Sequence, residues 1–79
     1  MSSTAVRQYR EAAQWVDESR VAANAALEAF RADRTEENLW ALEVANNAYL
    51  RDMDIRMKRA DAVTDEEYTA LMRELRGAR

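Results

Sequence analysis

The stretch Val6–Phe30 constrains this chain most, because it carries two apolar stripes where a surface helix needs one. Val6, Tyr9, Ala13, Val16, Arg20, Ala23, Leu27 and Phe30 step alternately by three and four. That is the heptad seam of a helix packed on another helix, with Arg20 as its single interruption. Beside it run Ala5, Ala12, Trp15, Ser19, Ala22, Ala26 and Ala29, nearly all small, so another backbone could approach closely there. At about 100° per residue the two stripes cover more than half the helix circumference. Only the strip with Arg7, Arg10, Gln14, Asp17, Glu18 and Glu28 is clearly wet. Two stripes call for two neighbours.

Little elsewhere interrupts the helical pattern, since proline is absent and glycine occurs once. The spacing predicts an all-α fold in one domain over residues 1–79. Helix 1 is expected over about 4–32, capped by one of Ser2, Ser3 and Thr4. Thr35 is the best cap for helix 2, over about 36–61, with Glu36 and Glu37 against its positive end. The short connection folds helix 2 back antiparallel, making a helical hairpin. Its main stripe is Leu39, Leu42, Asn46, Tyr49, Met53, Met57 and Ala60, and a weaker one holds Ala41, Val44, Ala48, Arg51 and Ile55 with Trp40 near its edge. Helix 3, over about 65–76, opens on the capping box Thr64-Asp-Glu-Glu67, with Val63 and Tyr68 at staple positions and Gly77 as a candidate C′ residue. A turn near Arg34 pairs residues whose numbers sum to about 69. Leu27 then faces Leu42, Ala23 faces Asn46, and Arg20 falls level with Tyr49 and close to Asp52. Helix 3 folds across the open end near Tyr9, Ala13 and Met57.

Composition removes most chemistry. With no Cys and no His, the chain has no disulfide, no thiolate site, and neither the commonest general base nor the commonest metal ligand. The acids fall at helix starts or at ion-pair spacing, and no Gly-rich phosphate loop is present. The expectation is a protein that is not an enzyme, with no cofactor and no metal. A formal net charge of −3 weighs against nucleic-acid binding. The arginines near the helix ends complement the helix dipoles. No apolar run reaches the roughly 20 residues of a membrane span. Met-Ser-Ser-Thr does not open a signal peptide, so no membrane and a cytoplasmic location are expected.

One local motif matches something known. Val63–Leu75, 13 of 79 residues, resembles the helix-opening segment of the N-terminal domain of NAD-dependent DNA ligases, and short helical modules called SHOCT are similar there too. In the ligases the segment helps hold the nicotinamide mononucleotide half of NAD. Asp65 and Tyr68 match that pattern, whereas Thr69 stands where the family carries Asp. Asn46-Asn47-Ala48-Tyr49 is similar to the family's upstream motif, but its spacer to Thr64 is too long. Any capped and stapled helix shares these features, so the reading is convergence on a helix start and not descent.

The remaining difficulty is physical. Two helices of about 26 residues are roughly 40 Å long, and a three-turn helix covers half of that. The face holding Ala12, Trp15, Ser19, Ala22, Ala26, Ala29, Trp40, Val44 and Ile55 is left uncovered, which marks an interface. The expected function is a small interaction or assembly module, an inhibitor, adaptor or structural accessory protein of phage or bacterial type. It would complete a bundle as a homo-oligomer or dock on a protein partner. The alternative is binding of a small anionic, nucleotide-like ligand between helices or at a subunit interface, by Arg20, Asn46, Tyr49 or Arg56. The ordinary reading of Arg20 and Asn46 is that they pair with Asp17 or Asp52 and set register.

Overall fold

A computed structural model of the chain describes residues 3–77. Three helices follow in order: α1 Thr4–Ala32, α2 Glu36–Ala60 and α3 Asp65–Gly77, with no strand among the described residues. The fold is the expected all-α antiparallel hairpin with a short third helix.

Local chemistry accounts for the helix ends. The Val6 N–H donates to the Ser3 hydroxyl at 3.1 Å, and the Asn38 N–H donates to the Thr35 hydroxyl at 3.1 Å. Asn38 also ties the turn, its side-chain amide donating to the Asp33 carbonyl at 2.7 Å. At α3 the capping box closes in both directions. The Glu67 N–H donates to the Thr64 hydroxyl and the Thr64 N–H donates to the Glu67 carboxylate, each at 3.1 Å. Gly77 departs from the expectation of a C′ residue. It stays helical with no positive φ, so its freedom from a Cβ is not used. Ser2, the other serine considered as a cap, lies outside the described residues.

The register of the hairpin is the expected one. Arg20, Ala23 and Leu27 of α1 line one groove with Tyr49, Asn46 and Leu42 of α2. The rotation of the helices is different. On α1, Ala12 is fully buried while Ala13 is half-buried, and Ser19 is half-buried while Arg20 is exposed. On α2, Asn38, Ala45, Asp52 and Arg56 are half-buried, while Leu39, Asn46 and Met57 are exposed. Each helix is turned by roughly half a residue step, about 50°, toward its second stripe. The cause lies in Arg20 and Asn46. The turn carries both to solvent and places Ser19 and Ala45 in the seam, where small side chains let the backbones close. Asp52 is met by the Ser19 hydroxyl, which also lies 2.8 Å from the Trp15 carbonyl oxygen, and Arg20 pairs with Asp17 at 3.7 Å.

The core is thin. The buried residues among those described are Val6, Ala12, Val16, Ala23 and Leu71. None belongs to α2. α3 rests on α1 and makes no contact with α2, so Met57 stays exposed instead of meeting α3 as expected. Leu71 seats α3 beside Tyr9 and Ala13, and an exposed Arg10–Glu74 ion pair clips it.

Candidate interaction face

The hairpin has two broad sides. On one side α3 covers the end of α1 near Tyr9, Ala13 and Asp17. The other side carries the residues that the sequence singles out as an interface.

Those residues divide. Ala12 is 0% exposed, so it is spent inside the chain and leaves the candidate surface. Ser19 is half-buried against Asp52. Trp15 is half-buried because Arg59 crosses from α2 and lies over its ring at 4.7 Å from the centroid. The same guanidinium donates to the Gln8 carbonyl at 2.8 Å and stands 3.6 Å from the Glu11 carboxylate. Trp15 is therefore partly sheltered by its own chain, where the sequence suggested that it stood open. Ala26 and Ile55 are half-buried, and Ala22 and Ala29 are exposed. Trp40 is 68% exposed and Val44 50%. What remains is a shallow face with small residues along α1 and Trp40, Val44 and Ile55 along α2.

Arg59 is the residue that sequence reasoning missed. It reads there as one of several cations in the last turn of a helix. Its placement in the hairpin, near the level of Gln8 and Glu11, was available from the register alone.

The polar set divides too. Arg20, Asn46 and Tyr49 share one open groove of about 320 Å³ with Asn24, Leu27 and Leu42, while Arg56 lies outside it on the seam. Asp17 beside Arg20 lowers the attraction of that groove for an anion. No group of three side chains suited to a metal ion occurs among the described residues. No described helix is long and apolar enough to cross a membrane.

The ligase-like segment is the capped start of α3. Its Tyr68 is 47% exposed, and Asp65 and Thr69 lie on open surface. Compared with family models, curated proteins and solved structures, the chain matches none.

Proposed function

We propose that this protein is a non-enzymatic interaction or assembly module that docks through the face holding Trp40, Val44, Ile55 and the α1 alanines. One observation carries the reading: α2, 25 residues long, has no buried residue and presents Trp40 and Val44 to solvent. A helix held in place by its own chain hides one stripe. Tryptophan is also among the residues most enriched at interface hot spots.

Surface area supports the same reading. A compact monomer of 9.1 kDa exposes about 4,900 Å². This chain exposes 6227 Å², about 1,300 Å² more, as a flattened rod of 48 × 26 × 15 Å. Its radius of gyration is 16.0 Å, against about 11.6 Å for a compact domain of this length.

The test is capture from extracts of the native host, followed by mass spectrometry, with a Trp40→Glu/Val44→Glu variant beside the wild-type chain. The reading expects at least one protein, this chain or another, to be retained by wild type and lost by the variant. If no captured species depends on the two residues, the reading fails.

A second reading, a small anionic ligand, is favoured only by the meeting of Arg20, Asn46 and Tyr49 at one groove. Thermal shift against a nucleotide panel tests it. A bound nucleotide raises the melting temperature with concentration and loses the effect in Arg20→Ala. A flat response across the panel removes the reading.

A further inference from the structure

We infer that the occupant of the Trp40 face is a second copy of this chain, related by a two-fold axis parallel to the hairpin. The inference rests on the interaction reading above and names its partner.

Height along the hairpin decides which residues of two copies can meet. Residues whose numbers sum to about 69 stand at one level, as the shared groove of Arg20/Tyr49, Ala23/Asn46 and Leu27/Leu42 shows. A two-fold axis parallel to the hairpin keeps every residue at its level. It also lays α1 of one copy against α2 of the other. All neighbouring helices in the resulting four-helix bundle are then antiparallel.

Two complementarities follow without adjustment. The first is size. Trp40 comes level with Ala29 of the other copy, and Val44 falls within one helical turn of Ala22 and Ala26, so the large side chains of α2 meet small ones on the α1 face. The second is charge. Glu18 and Arg51 stand at one height on opposite outer edges of the face, and the axis brings them together across the interface. Among the described residues neither has a strong partner within the chain. Glu18 accepts from the Gln14 side-chain amide at 3.1 Å. The Arg51 side chain is 72% exposed and reaches its neighbour Asp52 at 3.8 Å. One heptad away, Glu11 and Lys58 also stand at matching levels, although each is already paired within its chain, Glu11 with Arg59 at 3.6 Å and Lys58 with Asp54 at 2.9 Å.

The face is open, and the whole chain exposes about 1,300 Å² more than a compact monomer of its mass, against about 800 Å² that each partner loses in a standard interface. α3 lies across α1 from this face, beside Tyr9, Ala13 and Asp17, and does not obstruct it.

Sedimentation velocity on the full chain and on three charge variants tests the inference. Wild type is expected to be a dimer at about 100 µM. Glu18→Arg or Arg51→Glu alone places like charges together twice in each dimer, and is expected to raise the dissociation constant about tenfold or more. The Glu18→Arg/Arg51→Glu double variant restores the pair in reverse and is expected to return within about threefold of wild type. Both positions are exposed, so each variant should keep wild-type helicity by circular dichroism. A wild-type monomer at this concentration overturns the inference. So does a dimer indifferent to the single reversals, or one that the double reversal does not rescue. None of these results touches the capture experiment, so loss of the second-copy assignment and loss of the interaction reading are separable.

Discussion

Leu71→Ala should release α3 and leave the hairpin standing. Leu71 is 3% exposed and is the single buried residue of α3. Truncating a buried Leu to Ala costs about 2–5 kcal/mol. The remaining clip, Arg10–Glu74, joins side chains that are 43% and 62% exposed, and such pairs contribute at most about 1 kcal/mol. A helix of 13 residues is marginal alone in water. Even the low end of the range shifts the docked-to-undocked ratio by about thirtyfold. The rest of the core, Val6, Ala12, Val16 and Ala23, lies in α1 and survives the change. With helices of 29, 25 and 13 residues, loss of α3 removes about a fifth of the helical signal. Circular dichroism at 222 nm reads that fraction. Amide hydrogen exchange locates it, with 65–77 losing protection and α1 and α2 keeping theirs. Unchanged protection over 65–77 would refute the reasoning, and so would a collapse of all three helices together.

Three further outcomes follow from single contacts. Hydrogen bonding from the Ser3 hydroxyl first, then from the Thr64 N–H and hydroxyl, holds the Glu67 carboxyl below the usual glutamate value. Ionised Glu67 therefore favours the docked α3 above the ordinary glutamate range, and that contribution fades as pH falls through the lowered folded value. Exchange protection of 65–77 should drop below the ordinary glutamate range, and Glu67→Gln should abolish the step; a step that persists in the variant excludes Glu67 as its cause. Ser3→Ala removes the α1 cap and should cost about 1 kcal/mol, lowering the melting temperature by about 4–8 °C, while the Glu67 pKa measured by NMR moves back up. Arg59→Ala strips the cation from the Trp15 ring, so in a Trp40→Phe background the Trp15 emission should shift red; an unshifted spectrum would contradict the stacking.

Helix positions were legible in the sequence because their signals are local. Ser3, Thr35 and the Thr64–Glu67 box are capping residues whose partners lie three positions away. The hairpin register followed from the short turn alone. Helix rotation was not legible. Ala12 and Ala13, Ala22 and Ala23, and Ala25 and Ala26 are apolar neighbours, so periodicity alone cannot say which of each pair faces inward. Arg20 and Asn46 held the missing information. Each stands on the more apolar stripe, and avoiding their burial turns both helices toward smaller residues. The candidate interface residues suffered the same ambiguity, and Ala12 went to the core while Ala22 and Ala29 stayed out. Arg59 and Trp15 meet across 44 positions of sequence, beyond any local pattern.

The second-copy proposal holds that the Trp40 face is covered in solution by a copy of itself. Light scattering across a concentration series, from about 1 to about 200 µM, asks this directly. The account predicts a molar mass rising from 9.1 kDa toward about 18 kDa and levelling there. A mass that stays at 9.1 kDa over the whole range would contradict it.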